Sequence, residues 1–257
     1  MIVELRQVTK EYPKRNKSLF RTKEYMKAVN NVNLQIGKGD SIGLVGESGC
    51  GKSTIAKLIT RLETVTSGQI LLKGKPIHGK KISNRELYKQ IQLVLQDSSS
   101  SLHPKMQIKD ILLEPLQHYF PSEKSTWEES CKTLLKLVDL DEAFLLRYPY
   151  QLSGGQKQRV CIAKSLAAQP DIIIFDESIA SLDEESQQSM IRTLKKIKKQ
   201  YELTYLFITH DLRSTRELCD RIVVMYQGEF VETFRHHDYE KLKHPYSRIL
   251  FQTLNNE

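Results

Sequence analysis

A glycine-rich stretch of the G-x-x-x-x-G-K-[ST] form offers the clearest chemistry in this sequence. An apolar segment precedes it, and apolar residues at helical spacing follow, which predicts a strand, a tight turn and a helix. Backbone N–H groups in such a turn cradle a phosphate chain, and the helix start adds partial positive charge. Lys52 would reach the β- and γ-phosphates, and the Ser53 hydroxyl would ligate Mg²⁺. The predicted nucleotide-binding residues here are Gly46, Glu47, Ser48, Gly49, Cys50, Gly51, Lys52, Ser53 and Thr54.

Two carboxylates follow a continuous apolar run at residues 171–175, which predicts a central parallel strand buried on both faces. A charge at that strand end is costly unless it is paired or close to a cation. Asp176 is therefore predicted to hold the same Mg²⁺, a helix or turn cap being the alternative. Glu177 is predicted to orient and polarise the attacking water. His210, at the end of another strand, is predicted to contact the γ-phosphate.

A second glycine-rich segment also begins a helix. Ser153 is a good N-cap for a helix over 156–166, and the two glycines allow close approach of an anion. One nucleotide can hardly use both helix starts of one monomer. We therefore expect a head-to-tail dimer in which Ser153 and Gly155 close over the phosphates on Lys52 of the other subunit. The residues of this segment are Leu152, Ser153, Gly154, Gly155 and Gln156.

The order of predicted elements indicates an α/β protein in which an open parallel sheet carries ligands at the carboxyl ends of its strands. The segments near residues 2–8, 28–36 and 69–73 suggest a small antiparallel sheet beside that core. Two local predictions are that Leu62 lies on the buried face of the helix over 54–62, and that Ser98 to Ser101 form no regular structure.

The predicted organisation is a single domain over 1–257. Its core lobe comprises residues 1–96 and 169–235. Helical patterns fill residues 97–168 and predict an inserted helical subdomain, and residues 236–257 form a tail.

The amino-acid composition disfavours several classes of function. The 257 residues are 39% hydrophobic, and no apolar run approaches the roughly 20 residues that span a bilayer. Together with the lack of a signal-peptide pattern, this predicts a protein that is cytosolic or held at a membrane by something else. The four scattered cysteines disfavour a zinc site or a disulfide framework. The net charge of +8 fits a solvated helix face or an anionic membrane surface better than a nucleic-acid partner, which is not expected.

These motifs, in this order and approximate spacing, resemble an ATP-binding-cassette (ABC) ATPase over almost the whole chain. The resemblance implies a P-loop NTPase (RecA-like) core with an antiparallel β flank and an inserted helical subdomain. It implies hydrolysis of ATP with Mg²⁺, in which Lys52 and His210 act with Glu177. It further implies that Tyr12 stacks on adenine and that Asp183 contacts the opposite subunit.

By the same resemblance, Gln96 takes part in catalysis and in holding Mg²⁺, and it links the core to the helical lobe and to membrane subunits. The departures are modest. Ser178 stands where the family usually has proline, Ala180-Ser181 inverts the usual Ser-Ala, and Leu95 replaces a common phenylalanine. None of them removes a phosphate, metal or water contact.

Finer features, including Tyr148-Pro149 before the second glycine segment and His244-Pro245-Tyr246-Ser247, resemble the ATPase subunits of oligopeptide and nickel importers. Residues 206–213 are especially similar to the second ATPase of nickel importers. This implies two transmembrane permease subunits, a second homologous ATPase, and indirectly an extracytoplasmic substrate-binding protein. It also implies a peripheral position on the cytoplasmic face of the cell membrane.

The transported substrate stays open among nickel, another metal, a metal–chelator complex and a peptide. The alternative function is a soluble ABC-type ATPase acting on DNA or ribosomes, for which the basic charge is the only support.

Overall fold

Strands and helices alternate along the chain, and an antiparallel sheet accompanies strands that pair in parallel. The computed structural model describes residues 1–14, 24–79, 81–180 and 182–252, and of Glu240 the backbone only. The chain divides into two compact units, one of residues 1–83 with 208–257 and one of residues 84–207. The α/β class with parallel and antiparallel strands is as predicted, whereas the boundaries proposed for the lobes stay a prediction.

The antiparallel sheet of the first unit has the strand order β2-β1-β4-β5. Its register places Val3 between Ile36 and Leu72, and these side chains are buried. The predicted antiparallel sheet is therefore confirmed, and its first two strands extend further than expected. The basic segment between them lies largely outside the described residues. The strands are β1 Val3–Pro13, β2 Tyr25–Ile36, β4 Ser67–Leu72 and β5 Lys75–Pro76.

The strand before the first glycine segment, β3 (Ser41–Val45), is buried throughout. It pairs in parallel with β9 (Arg221–Tyr226), which pairs antiparallel with β10 (Glu229–Arg235). Because Val45 is opposite Val224, the chain leaves β3 at the level of Met225. The helices of this unit are α1 Lys52–Ile59, α8 Leu212–Leu218 and α9 Pro245–Gln252, with a 3₁₀ helix at Tyr239–Lys241.

The second unit contains the remaining helices and the parallel pair β6–β7, in which Val94 lies opposite Phe175. The helix α6 packs against α3, α4 and α5, so the helical patterns between β6 and β7 form one bundle. The strands are β6 Ile91–Val94, β7 Ile172–Asp176 and β8 Thr204–Thr209, which begins in this unit. The helices are α2 Asn84–Gln90, α3 Ser98–Ser101, α4 Ile108–Tyr119, α5 Trp127–Leu137, α6 Gly154–Ala167 and α7 Glu184–Tyr201. Three 3₁₀ helices lie at Pro121–Thr126, Glu142–Leu146 and Pro149–Gln151.

Three aromatic side chains fix the packing of β7 and β8. The rings of Phe175 and Phe207 stack with centroids 4.7 Å apart, and Tyr205 meets Phe175 edge-on at 5.2 Å. The buried Tyr205 hydroxyl donates to the Leu194 carbonyl of α7 at 3.3 Å. Aromatic pairs of this kind add about 0.5–1.5 kcal/mol beyond the area they bury. They hold the strand end that carries Asp176 against a rigid core.

The prediction that Leu62 is buried was wrong, because its side chain is 60% exposed. The helix α1 ends at Ile59, where the Thr60 hydroxyl donates to the Ala56 carbonyl at 2.8 Å. Arg61 then takes a left-handed conformation with φ +57°, which ends a helix in the usual way. Leu62 therefore lies past the end of the apolar face.

The prediction that Ser98 to Ser101 are irregular was also wrong, because they form the single turn α3. The Asp97 carboxylate caps this turn by accepting from the backbone N–H groups of Ser99 and Ser100, at 2.9 and 3.3 Å. Serine is a weak helix former, but an aspartate N-cap supplies the partners that a short turn lacks.

Within the described residues, no helix has the length and apolar character needed to cross a membrane.

Candidate nucleotide-binding site

The loop between β3 and α1 has a shape that only glycine permits at two positions. Gly46 has φ +153°, and a Cβ there would lie 2.2 Å from the Met225 carbonyl oxygen. Gly51 has φ +112°, and its Cβ would lie 2.1 Å from the Ala28 carbonyl oxygen. Neither contact is possible for a real side chain, and backbone atoms cannot yield easily. The fold itself therefore requires these two glycines.

Lys52, the first residue of α1, is only 4% exposed. Its Nζ donates to the carbonyl oxygens of Gly46 and Glu47 at 2.7 and 2.8 Å. A buried ammonium needs such partners. The lysine side chain is thus folded back over its own loop, where the loop carbonyls hold it close to the N-terminus of α1. That helix start has no side-chain cap, so its N–H groups can serve a phosphate.

Two further contacts hold the loop from outside. The Gly228 N–H, in the turn between β9 and β10, donates to the Cys50 carbonyl at 3.1 Å. The Glu47 N–H donates to the Tyr246 hydroxyl of α9 at 2.8 Å. In the sequence, the His244 to Ser247 stretch stands out only as a family likeness, and nothing in the local pattern indicates this contact between segments so distant in the chain.

Burial raises the pKa of the cysteine in the loop, Cys50, although the Lys52 ammonium nearby acts in the opposite direction. Because the thiolate is the reactive form, we expect alkylation at neutral pH to be slow.

Tyr12 lies at the end of β1 and is partly buried. Its hydroxyl donates to the Glu63 carboxylate, and the Lys10 ammonium sits 5.0 Å from the ring centroid. Burial, followed by the hydrogen bond to Glu63, raises its pKa to about 12, while an interaction with Thr54 opposes the shift. Tyr12 therefore lies close to Thr54, in the first turn of α1. Its stacking on adenine stays a prediction.

In the second unit, the predicted N-cap at Ser153 is confirmed. The Ser153 hydroxyl accepts from the Gln156 N–H at 3.3 Å, and the Gln156 side-chain oxygen accepts from the Ser153 N–H at 3.0 Å. This capping box begins α6 two residues earlier than the sequence suggested.

The two glycines at this helix start are not required by the surrounding structure. A Cβ on Gly154 would meet no atom within 4 Å among the described residues, and one on Gly155 would meet only the Ser186 side chain, at 3.6 Å. Ser186 lies in the first turn of α7, whose N-cap Asp183 accepts from the Ser186 N–H at 2.9 Å. Hydrogen bonds from the Ser186 backbone and side chain lower the pKa of Asp183. The structure thus places the capped starts of α6 and α7 next to each other, and the space in front of Gly154, at the start of α6, is open.

The strand ends of the second unit carry the remaining polar residues. Because β6 and β7 are parallel and Val94 lies opposite Phe175, Gln96 and Asp176 follow at the same edge of the pair. Glu177 has φ +50°, a left-handed conformation that is uncommon for a residue other than glycine. Arg61 and seven other non-glycine residues of the described chain share such a φ, so it does not by itself mark a functional position. His210, in the first unit, is exposed directly after β8.

No cluster of three or more histidine, cysteine, aspartate or glutamate side chains suited to a metal ion occurs in the part of the chain that the structure describes. The predicted Mg²⁺ ligands are instead a hydroxyl, a carboxylate and an amide, on Ser53, Asp176 and Gln96. All three supply the hard oxygen donors that Mg²⁺ prefers. Their chemistry fits an ion that keeps several waters and is bound largely through phosphates.

A phosphate-type loop at a parallel strand end and a second, capped helix start define a P-loop nucleotide-binding protein. Residues 29–180 match the family description "ABC transporter". The nickel import ATP-binding protein NikE of Escherichia coli K12 is 42% identical over 211 residues, covering 82% of this chain and 79% of that protein. The oligopeptide transport ATP-binding protein AppF of Bacillus subtilis 168 is 39% identical over 256 residues, covering 98% and 78%.

Solved structures give the same result. The ATP-binding cassette MJ0796 in a dimeric post-hydrolysis state, bound to ADP and Pi, superimposes with a TM-score of 0.76 at 30% identity, covering 91% of this chain and 99% of that one. The chain therefore belongs to the ABC transporter family, and it is an ATP-binding ATPase of that family.

Proposed function

We propose that this protein is the ATP-hydrolysing subunit of a membrane importer, coupling ATP-driven dimer closure and hydrolysis to solute uptake. The observation that carries the proposal is its similarity, over most of its length, to ATP-binding proteins of nickel import and oligopeptide transport. The geometry of the loop around Lys52 supports a role in binding the phosphates of ATP. The cargo is nickel, another metal, a metal chelate or an oligopeptide.

In the proposed site, the amides from Gly49 to Thr54 at the start of α1 bind the phosphate chain. Lys52 has three N–H donors; two serve the carbonyls of Gly46 and Glu47, and the third makes a charge-assisted hydrogen bond to a phosphate oxygen. Tyr12 stacks on the adenine.

Ser53, Asp176 and Gln96 would hold Mg²⁺, which when bound offsets the negative charge of the phosphates. Glu177 accepts a proton from the attacking water and orients it. The position of Glu177 directly after β7, at the carboxyl end of that strand, supports this role. His210 donates to the γ-phosphate and so reports its presence.

The second helix start acts on the nucleotide of a partner subunit. The Ser153 hydroxyl accepts the Gln156 N–H and still has its own O–H proton to donate to a phosphate oxygen. The open space at Gly154 supports the approach of a ligand from outside the chain. Asp183, at the neighbouring helix start, contacts the opposite subunit. A related cassette, MJ0796, which is similar to this chain, is dimeric in two solved structures.

The proposed assembly contains two permease subunits, a second homologous ATPase and, indirectly, an extracytoplasmic binding protein. This subunit would sit on the cytoplasmic face of the membrane. A second class, a soluble ATPase acting on DNA or ribosomes, has only the net charge of +8 in its favour.

The test is affinity purification of tagged Glu177→Gln protein with ATP from gently solubilised cells, read by mass spectrometry. We expect hydrolysis to fall by about 10²–10⁴-fold with ATP still bound, because the carboxylate that accepts the proton is gone. The trapped dimer should retain two polytopic membrane proteins and a second ATPase. Lys52→Ala, which should not form an ATP-bound dimer, is the control.

Recovery of ribosomes or DNA-associated proteins without membrane subunits would contradict the importer. Near-normal hydrolysis by the Glu177→Gln complex would contradict the role given to that glutamate. With the complex in hand, the companion binding protein can be titrated with nickel, other metals, metal chelates and peptides to identify the cargo.

A further inference from the structure

We propose that Tyr246 is a positioning residue of the phosphate-binding loop: its hydroxyl holds the peptide between Gly46 and Glu47, and through the Gly46 carbonyl of that peptide it holds Lys52. The proposal rests on the proposed function, since it presupposes that this loop binds the phosphates of ATP. Tyr246 itself does not contact the nucleotide. It sets the shape of the loop that does.

One peptide unit, between Gly46 and Glu47, joins Lys52 to α9. Its carbonyl, that of Gly46, accepts from Lys52 Nζ at 2.7 Å. Its N–H, that of Glu47, donates to the Tyr246 hydroxyl at 2.8 Å. A peptide unit is planar, so a contact that fixes its N–H also fixes the direction of its carbonyl. Tyr246 thereby orients an acceptor of the lysine.

The tyrosine is itself held firmly, which a positioning residue requires. Its ring stacks on Tyr226, the last residue of β9, with centroids 4.3 Å apart. The Glu232 carboxylate of β10 accepts from the N–H groups of Lys243 and His244, at 2.7 and 3.3 Å, just before α9 begins. These hydrogen bonds lower the pKa of Glu232, against the effect of its partial burial.

The far end of α9 is fixed as well. Phe251 is buried and meets Phe234 of β10 edge-on, with centroids 5.3 Å apart. Both ends of the helix are thus joined to β10, and Tyr246 has little freedom to leave the loop. Burial also raises the pKa of Tyr246, so the phenol is neutral at physiological pH and its oxygen can accept the Glu47 N–H.

The test compares Tyr246→Phe with Tyr226→Phe. Both substitutions keep the aromatic stack and remove one hydroxyl, but the Tyr226 hydroxyl bonds only the Gln227 side chain among the described residues. Two quantities are measured on the full chain: the Kd for a fluorescent ATP analogue, and amide hydrogen exchange of a peptide covering residues 44–52. Lys52→Ala serves as the reference for loss of the site.

For Tyr246→Phe we expect Kd to rise about three- to tenfold, the effect of one neutral hydrogen bond, with faster exchange at Glu47 and a melting temperature lowered by no more than about 2–4 °C. In steady-state assays of the assembled ATPase, KM should rise with kcat retained at saturating ATP. Tyr226→Phe should match the wild type in each measurement.

An unchanged Kd in Tyr246→Phe, with binding lost in Lys52→Ala, would refute the positioning role and leave the nucleotide site standing. A weaker Kd with unaltered exchange at Glu47 would also refute it, because the effect would then not pass through that peptide. If Lys52→Ala bound ATP normally, the assignment of the loop would fail, and the role of Tyr246 with it.

Discussion

The two glycine-rich helix starts of this protein contain glycine for different reasons. In the first, Cβ atoms at Gly46 and Gly51 would collide with backbone oxygens, so the fold excludes any larger residue. In the second, Gly154 has open space before it, and the helix is already capped by Ser153 and Gln156. The open space at Gly154 leaves room for a ligand that approaches from outside the chain. Under the proposed function, the first loop binds the subunit's own nucleotide and the second contacts the nucleotide of a partner subunit.

The largest expected effect separates binding from hydrolysis. Ser153→Arg should abolish hydrolysis in the assembled complex, because the side chain fills the space in front of α6 and removes the hydroxyl offered to a partner's phosphates. The ATP affinity of the isolated subunit should stay at the wild-type value. Hydrolysis is measured by phosphate release, and ATP affinity by equilibrium binding.

The matched control is Ser125→Arg, which adds the same side chain at an exposed position of the same unit. It should hydrolyse ATP normally. If Ser153→Arg weakened ATP binding by the monomer as much as it weakened hydrolysis, the second helix start would belong to the same subunit's own nucleotide, and the head-to-tail arrangement would be wrong.

Replacing one glycine by alanine in each loop tests whether the two loops differ in how much the fold depends on glycine. Gly51→Ala should lower the free energy of unfolding by at least ~2 kcal/mol, because alanine is strained at φ +112° and collides with the Ala28 carbonyl. Gly154→Ala should cost nothing or stabilise by up to about 1 kcal/mol, since alanine is the better helix former. Chemical denaturation of both variants measures the difference. Equal destabilisation would show that the glycines of the two loops are alike.

The smallest effect concerns the thiol in the first loop. Since burial raises the pKa of Cys50, its thiolate fraction is low at neutral pH and grows as the pH rises. Alkylation by N-ethylmaleimide should therefore be slow at pH 7 and should speed up about tenfold per pH unit below that pKa. Bound ATP should protect the thiol. Cys50→Ala is the control for labelling elsewhere, and fast, pH-independent modification would contradict the buried environment.

The sequence was informative wherever a structural feature depends on neighbours along the chain. Ser153 and Gln156 form a capping box within four residues, so that helix start was predictable. The unbroken apolar run of β7 likewise predicted a buried strand. The errors arose where one side chain decided the local structure. The Asp97 cap made a helical turn of four serines, and the left-handed Arg61 ended α1 before Leu62.

Contacts between distant segments were beyond such reasoning. The left-handed backbone of Glu177 has no signature in its own residue type. The hydrogen bond between Tyr246 and the Glu47 N–H joins parts of the chain that no local pattern relates. Family resemblance pointed at the His244 to Ser247 stretch, but it supplied no physical role.

The hydrogen bond between Tyr246 and the Glu47 N–H affects when the loop can reach its final shape during synthesis. Glu47 and Tyr246 are 199 residues apart, and the β9 backbone that packs on Gly46 also comes late in the chain. At translation speeds of about 5–20 residues per second, the loop waits roughly 10–40 s for its last support. During synthesis, the nascent loop therefore lacks its mature shape until α9 has emerged. ATP should stabilise the finished protein far more than its growing chain.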